Sequence, residues 1–338
     1  MGTDWKVRRS VLGPEARKKQ ARPTVSQAKP TMSNPLWVRG HELAKNVLSR
    51  LKHIIRLLLP PILLEALRKV RNYIATPARP EWEAMPNTDA VWTAHPGWAH
   101  GSIAETQRMK WSAFLASIEG TRPFGWPHEA PTDVPIDIGA HNMIVTFGYV
   151  LGRTALGKRR ISVLDWGGGI GHYYLYARRL QPELALDYVI KDLPSLCAVG
   201  QSLLPEPTFT SDDAQALSRR YDLVFASSSL QYNRNFYDVL GQLCDVAAGW
   251  LMVTRSPFVE HSDDFVLVQR PYAYGYLTEY AGWVVNRKRF VDFVQSRGLV
   301  LDREFMLAER PHVPNAREQC RFCGFLFRRV PNRTAAAP

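Results

Sequence analysis

Residues 161–180 read ISVLDWGGGIGHYYLYARRL and combine three local patterns in direct succession. The apolar, partly β-branched run from Ile161 to Leu164 is typical of a buried strand. Four glycines within the next seven residues interrupt that strand, and His172 to Leu180 then has the composition of a helix. A glycine turn between a strand and a helix lets a ligand lie against bare backbone at the helix N-terminus. The segment therefore predicts a binding site within an α/β fold.

The spacing of these glycines separates two classes of nucleoside cofactor. The dinucleotide fingerprint Gly-x-Gly-x-x-Gly fails in both registers, because its third position holds His172 or Tyr174. An acid precedes the turn, which would repel a pyrophosphate and attract a cationic ligand. S-adenosylmethionine is such a ligand, since it carries an ammonium and a sulfonium and no phosphate. The pattern present is Asp-x-Gly-x-Gly-x-Gly, at Asp165, Gly167, Gly169 and Gly171, with Gly168 in addition.

This pattern resembles motif I of the class I S-adenosylmethionine-dependent methyltransferases. The resemblance implies that S-adenosylmethionine is the cofactor and that Asp165 and the glycines of the turn bind it. The alternative interpretation is a glycine-rich turn in some other α/β protein.

An acid also follows the second strand candidate, Leu186 to Ile190. Asp192 lies 21 residues beyond Gly171, a distance that places a carboxylate at the tip of the neighbouring strand in a βαβ unit. There the carboxylate can accept hydrogen bonds from ribose hydroxyls. We predict that Leu193, the next residue, contacts the cofactor as well. Because dinucleotide-binding proteins use such an acid too, Asp192 supports nucleoside binding without separating the two classes. A solvated turn residue is the alternative.

Two later turns resemble further cofactor contacts of the same family. Asp212 and Asp213 end a short strand candidate, where the methyltransferase pattern places an acid near the adenine amino group. Helix N-capping is the competing interpretation of this acidic turn. Residues 221–232 resemble motif IV, and within them Ser228 and Gln231 would line the floor beneath the methyl donor.

Strand and helix patterns alternate along the C-terminal part of the chain. They predict a Rossmann-like, doubly wound α/β sheet of seven strands with an antiparallel edge, preceded by a helical and irregular extension. The predicted segments are a disordered basic tail (1–35), a basic amphipathic helical segment (36–80), a cap rich in Trp and Pro (81–139), the methyltransferase domain (140–330) and a disordered tail (331–338).

Five short segments carry a second resemblance: 59–64 (LPPILL), 140–142 (AHN), 164–171 (LDWGGGIG), 192–194 (DLP) and 228–232 (SSLQY). Together they resemble a poorly characterised bacterial family of methyltransferases associated with polysaccharide and O-antigen gene clusters. This resemblance implies a sugar, glycan or lipid-linked saccharide as the methyl acceptor.

The general base is the open part of the mechanism. In small-molecule O-methyltransferases that share the Asp-Leu-Pro run, a His after the fourth strand is the base, and Gln231 occupies the comparable position here. Glutamine does not accept a proton at neutral pH. The candidates elsewhere are His141, His172 and His261, although each is as readily a helix-start, capping or surface residue.

The net charge of +12 is concentrated at the N-terminus. Residues 1–80 hold 17 Lys or Arg and four acids, a net +13, so the remainder carries −1. Apolar residues recur at helical spacing across residues 42–74, with basic residues mostly off the apolar face. Such a segment can lie on an anionic membrane surface, pack on the catalytic domain or a second subunit in a homodimer, or contact RNA. No apolar core follows the first charges, so a signal peptide is not expected, and Met32 is an alternative start.

Two further segments bear on the acceptor and on metals. Residues 255–286 show no clear strand or helix pattern and are rich in tyrosine, which predicts a long functional loop over the acceptor. Cys320 and Cys323 form a single C-x-x-C in a predicted edge strand, a weak metal signal without a second pair, so no metal is expected. The chain has four cysteines in all, which suits a reducing cytoplasm. If the basic segment at 42–74 binds a membrane surface, the protein would attach peripherally to the inner face of the cytoplasmic membrane.

The sequence thus leads to three hypotheses. The first is methyl transfer from S-adenosylmethionine to an oxygen or nitrogen of a saccharide acceptor. The second is an RNA methyltransferase that uses the basic N-terminal segment, although the nearly neutral remainder argues against a broad nucleic-acid-binding face, and DNA is not expected as a partner. The third is a scaffold that keeps the fold without catalysis.

Overall fold

A computed structural model describes residues 79–126 and 135–330 of the chain. The predicted tail at 1–35, the amphipathic segment at 42–74 and the tail at 331–338 lie outside the described residues. Within the described part, no helix is both long and apolar enough to cross a lipid bilayer.

The described residues form ten strands and eight α-helices. The strands are β1 (Trp82–Met85), β2 (Arg160–Trp166), β3 (Ala185–Lys191), β4 (Thr208–Thr210), β5 (Tyr221–Ser227), β6 (Ala247–Val259), β7 (Phe265–Gln269), β8 (Tyr280–Asn286), β9 (Leu299–Met306) and β10 (Arg321–Arg329). The helices are α1 (Asp89–Thr93), α2 (Gly101–Ser117), α3 (Ile138–Ala155), α4 (His172–Leu180), α5 (Pro194–Leu203), α6 (Asp213–Ala216), α7 (Phe236–Val246) and α8 (Arg287–Ser296).

Seven of the strands form a doubly wound sheet in the order β4-β3-β2-β5-β6-β10-β9. Strands β2 to β6 run parallel, and β10 runs antiparallel to both of its neighbours. The predicted Rossmann-like seven-stranded α/β fold is therefore confirmed. The central strands are apolar on both faces, as β2 illustrates, because helices cover both sides of a parallel sheet.

The position of the antiparallel strand corrects one expectation. Strand β10 lies between β6 and β9, so it is not an edge strand. Cys320 and Cys323 are consequently buried as free thiols against the sheet. Burial raises the pKa of both thiols, and no group of three metal-binding side chains occurs in the residues that the structure describes.

A second correction concerns residues 255–286, which contain two strands and the end of a third. Strands β7 and β8 pair antiparallel, and β1 from the predicted irregular cap pairs with β7. Strand β8 in turn pairs with the last residues of β6, with Phe258 opposite Val285. Each strand is short and is stabilised by partners far away in the chain, which local periodicity does not reveal.

Helices on the two faces of the sheet bury separate apolar clusters. Helices α2 to α5 contribute to one cluster, with Phe114 and Phe147 fully buried, and α7 and α8 contribute to the other. Helix α2 begins at Gly101 because His100 caps it: Nδ1 of His100 accepts the backbone N–H of Ser102 at 3.2 Å. In the sheet, β2 lies between β3 and β5. The chain first adds β3 and β4 on one side of β2 and then returns to add β5 on the other side. The sheet therefore has its topological switch point at the carboxyl end of β2, where α/β proteins bind ligands.

Candidate functional site

A cavity of about 590 Å³ opens at this switch point. One half is formed by the ends of β2, β3 and β5, and the other half by α1, the turn 97–99 and strands β7 and β8. We call the first half the turn half and the second the cap half. The volume and the mixture of apolar and polar walls suit a nucleoside cofactor together with a small second ligand.

The glycine turn supplies bare backbone to the turn half. Gly167 has φ +75° and Gly169 has φ +60°, in the left-handed region that glycine adopts without strain. A Cβ on Gly167 would lie 2.2 Å from Cβ of Ser229, and one on Gly168 would lie 2.6 Å from Cγ of Asp165. Side chains are therefore excluded here by both backbone conformation and space. Gly171 caps α4 at the far end of the turn.

Asp165 ends its strand as a buried carboxyl group in the wall of the cavity. It is 1 % exposed and accepts a hydrogen bond from the hydroxyl of Tyr188 at 3.0 Å. Burial raises the pKa of Asp165 to about 7; the Tyr188 hydrogen bond opposes this rise, and the charge of Asp192 adds to it. A carboxylate that is costly to ionise when alone is stabilised by a bound cation. The wall thus favours a positively charged group.

Asp192 joins the tip of β3 to the glycine turn. Its Oδ2 accepts the backbone N–H of Gly169 and its Oδ1 accepts that of Leu193, both at 2.7 Å. Burial raises the pKa of Asp192 despite these two donors. Asp192 and Leu193 both line the cavity, so the structure brings them together with Asp165 and the turn as the sequence predicts.

The floor between β5 and β6 is held in a strained conformation. Ser228 (φ +52°) and Arg255 (φ +54°) are the two non-glycine residues with positive φ in the described part of the chain, and both line the cavity. Arg255 is the extra residue of a bulge in β6, since Thr254 and Ser256 pair with consecutive residues of β10. A bulge re-aims a side chain, and such strain is commonly found at functional sites.

Gln231 supports this floor from beneath and is not among the residues that line the cavity. Its Nε2 donates to the carbonyl of Arg255 at 3.3 Å and to Oγ of Ser228 at 3.4 Å. Its Oε1 accepts from Oγ of Ser256 at 3.0 Å. The residue predicted as a cofactor contact therefore positions the two strained residues, while Ser228 itself faces the cavity as predicted.

The acidic turn after β4 lies outside the cavity lining. Oδ1 of Asp212 accepts the backbone N–H of Ala214 at 2.8 Å, which caps α6. Asp213 forms an ion pair with Nζ of Lys191 at 2.6 Å. Of the two interpretations of this turn, the structure shows helix capping, and an adenine contact stays a prediction.

The three candidate histidines occupy different environments. His172 lines the cavity and packs edge-on against the rings of Trp111 and Phe114. His141 lies in the first turn of α3, with Nδ1 2.8 Å from the carbonyl of Phe124. His261 is exposed in the turn after β6. Of the three, the structure brings only His172 into the site.

The cap half contains two polar groups, on Trp98 and Gln107, that the sequence did not predict as part of the site. The ring of Trp98 stacks on Tyr280 at 4.9 Å between centroids and lies 5.2 Å from Tyr232. The indole N–H of Trp98 and the side-chain carbonyl of Gln107 are the two buried side-chain polar atoms without a hydrogen-bond partner within the described ranges. Both residues line the cavity. The sequence features that point to this half are the density of Trp in the cap and the density of Tyr in residues 255–286, to which Tyr280 belongs.

A paired charge network forms the outer wall of the cap half. Arg270 is buried between Glu83 at 2.6 Å and Glu279 at 3.2 Å. Nε2 of His95 lies 3.6 Å from Oε2 of Glu279. Burial would raise the pKa of Glu279, but the Tyr272 hydroxyl and these cations hold that pKa below its usual value. The wall therefore presents an ionised carboxylate beside an imidazole.

No protein-family model matches the sequence, and no curated protein matches it. Solved structures do resemble the fold. Magnesium protoporphyrin IX methyltransferase from Synechocystis PCC 6803, with bound S-adenosylmethionine, is 14 % identical and has a TM-score of 0.42; the match covers 68 % of this chain and 95 % of that chain.

Two other similar structures differ in chemistry. The 1,6-didemethyltoxoflavin-N1-methyltransferase of Burkholderia thailandensis is 13 % identical, with 56 % of this chain and 78 % of that chain covered and a TM-score of 0.37. An enzyme of a pericyclic reaction is 13 % identical, with 53 % and 47 % covered and a TM-score of 0.36. At these values the ligands and reactions of the matched proteins are not transferred to this chain.

Proposed function

We propose that the chain is an S-adenosylmethionine-dependent methyltransferase. The observation that carries this proposal is the buried Asp165 carboxyl group beneath a turn of bare backbone, at the switch point of a doubly wound sheet. A pyrophosphate at the turn would be repelled by the Asp165 carboxylate, whereas a ligand with an ammonium and a sulfonium complements it. Bound S-adenosylmethionine would supply the methyl group.

The residues of the turn half fit the parts of this cofactor. Gly167 to Gly169 line the cavity beside Asp165, so the amino-acid portion would lie against their backbone and close to that carboxyl group. Asp192 lines the cavity at the tip of β3, where it would accept hydrogen bonds from the ribose hydroxyls. The floor at Ser228 lies beneath the reacting carbon in this arrangement.

For the acceptor we propose a hydroxylated ring, with a sugar or lipid-linked saccharide as the class. The cap half supports this, because Trp98 and Tyr280 present aromatic faces and Trp98 holds an unmet N–H donor. Aromatic faces pack against the apolar faces of sugar rings, and the N–H would donate to an oxygen of the ring. Attachment to a membrane through residues 42–74 stays a prediction from the sequence alone.

The chemistry required of the protein is alignment and, for a hydroxyl acceptor, removal of one proton. His95 is the cavity-lining histidine beside a carboxylate, at 3.6 Å from Glu279. A carboxylate at that position stabilises the imidazolium that forms when the ring takes a proton. We therefore assign proton removal to His95 in preference to His172, which packs among aromatic rings in the turn half.

The test has two stages. In the first stage, calorimetry measures binding of S-adenosylmethionine and S-adenosylhomocysteine to the protein. Asp165→Ala is expected to abolish binding. Asp187→Ala is the control and is expected to leave binding intact, because Asp187 lies on the neighbouring strand and pairs with Arg219 at the surface. Absence of binding to the wild-type protein would refute the proposal.

In the second stage, labelled methyl donor is incubated with the protein and separated polysaccharide, lipid, RNA and protein fractions. Label in the polysaccharide or lipid fraction is expected. Label confined to RNA or to protein would refute the saccharide acceptor while leaving methyl transfer in place.

A further inference from the structure

Gln107 lines the cavity, and its buried side-chain carbonyl oxygen has no hydrogen-bond donor among the described residues. The residue is 5 % exposed. Buried acceptors in folded proteins almost always have a donor, because leaving one unmet is costly. A ligand that donates a hydrogen bond in this position would satisfy it.

The oxygen is aimed at the glycine turn. Oε1 of Gln107 lies 3.3 Å from the position that a Cβ on Gly169 would occupy. The other end of the amide is held by the hydroxyl of Tyr276, to which Nε2 donates at 3.4 Å. Helix α2 thus reaches over the turn and fixes an acceptor above it.

The same turn adjoins a second acceptor. The carboxyl group of Asp165 lies next to Gly168, whereas Oδ2 of Asp192 already accepts the N–H of Gly169 from the tip of β3. Gln107 and Asp165 therefore bring two oxygen acceptors to one turn. A ligand group that complements them carries several donors and a positive charge, which describes a primary ammonium.

We infer that Gln107 binds the ammonium of the amino-acid portion of S-adenosylmethionine. The inference rests on the proposed function, since it names a residue of the same cofactor site. Ribose is assigned to the tip of β3, so the amino-acid portion lies on the other side of the turn, where α2 covers it. The cap then takes part in holding the cofactor as well as the acceptor.

The experiment compares two ligands by calorimetry on the full chain. S-adenosylhomocysteine carries the ammonium, and 5′-deoxy-5′-(3-carboxypropylthio)adenosine has the same carbon chain and carboxylate without it. Gln107→Leu is expected to weaken binding of S-adenosylhomocysteine about tenfold, in line with a lost hydrogen bond to a charged group. Binding of the analogue is expected to change less than about twofold by the same reasoning, since the analogue has no donor for the lost oxygen.

Two companion variants complete the design. Tyr276→Phe removes the hydroxyl that holds the amide, so it should weaken binding of S-adenosylhomocysteine by a smaller factor than Gln107→Leu, with no matching loss for the analogue. Gln107→Asn withdraws the oxygen by one methylene and should reproduce the selective loss if the Leu variant does not fold.

The outcomes separate this inference from the proposed function. Unchanged affinity of the Gln107 variants for S-adenosylhomocysteine would overturn the inference, and so would an equal loss for both ligands. Failure of the wild-type protein to bind S-adenosylhomocysteine would overturn the proposed function and the inference with it.

Discussion

Oδ2 of Asp192 accepts a hydrogen bond from the backbone N–H of Gly169 at 2.7 Å. One carboxylate thereby links the tip of β3 to the turn that follows β2. The same side chain lines the cavity. Asp192 therefore shapes the turn and also lines the cavity in which the proposed cofactor would lie.

Asp192→Ala should weaken the binding of S-adenosylhomocysteine and of 5′-methylthioadenosine by similar factors, about tenfold or more, because both ligands carry the ribose hydroxyls. Calorimetry measures both affinities. Asp187→Ala is the matched control, since Asp187 lies on the same strand and pairs with Arg219 at the surface. A loss restricted to the ligand with the amino-acid portion would argue against a ribose contact.

Gly167→Ala should destabilise the protein and abolish cofactor binding. The added Cβ would meet Ser229 at 2.2 Å in a backbone with φ +75°. We expect a cost of about 2–4 kcal/mol from strain and overpacking together. Chemical denaturation measures it.

Gly157→Ala separates the two causes of that cost. Gly157 has φ +74° with nothing within 4 Å of the added Cβ, so only the backbone cost of about 1 kcal/mol applies. Equal losses in the two variants would show that contact with Ser229 is unimportant.

Affinity for S-adenosylmethionine should fall as the pH drops below about 7 and be flat above it, because burial raises the pKa of Asp165 to about 7. The cationic ligand binds the ionised carboxyl, so each pH unit below the pKa should cost up to about tenfold in affinity. Titrations between pH 5.5 and 8.5 test this. Asp165→Asn should bind weakly at every pH; a slope that persists in this variant would assign the titration to another group.

The same carboxyl group should limit the stability of the unliganded protein. The pKa of Asp165 is higher in the folded protein than in the unfolded chain. The protonated carboxyl group therefore contributes its full stabilisation below about pH 4, and this stabilisation is lost as the pH rises through about 7. Asp165→Asn removes that loss and should raise the unfolding free energy at pH 8 more than at pH 5, with a difference between the two pH values of at most about 3 kcal/mol. Urea denaturation at both pH values measures it, and an equal effect at both would contradict the assignment.

Trp98→Phe should preserve stability and impair use of the acceptor. The variant keeps an aromatic ring against Tyr280 and removes a buried N–H that has no partner in the described part of the chain. Steady-state kinetics with the acceptor from the labelling experiment should show a several-fold higher KM, as expected for a lost hydrogen bond of about 1 kcal/mol, with unchanged affinity for S-adenosylhomocysteine.

Trp283→Phe is the comparison for stability, because the indole N–H of Trp283 donates to the carbonyl of Arg234 at 3.0 Å. This variant should lose about 1 kcal/mol of unfolding free energy. An equally large loss in Trp98→Phe would show that the Trp98 N–H is satisfied.

Local patterns were sufficient for the main sheet and the turn half of the site. The run from Ile161 to Gly171 contains both a strand and the backbone freedom that the turn requires, and Asp192 follows at a spacing set by one helix. Side chains whose direction depends on distant packing were not predictable. Gln231 faces the strained floor, and the exposed His261 lies outside the cavity lining.

The cap shows the same limit. Strands β1, β7 and β8 were missed because each is short and pairs with residues remote in sequence. Trp98 belongs to a segment that predicts only an irregular region, yet its ring packs against Tyr232 and Tyr280.

The sequence by itself determined the parallel strands of the main sheet and the conformation of the glycine turn, because these follow from apolar runs and from residues without side chains over a few positions. Only the tertiary structure decided that the carbonyl of Gln107 stands above Gly169 and that Arg255 turns into the cavity. Those positions depend on how a separate helix and a bulged strand pack across the sheet, and such packing is a property of the whole folded chain.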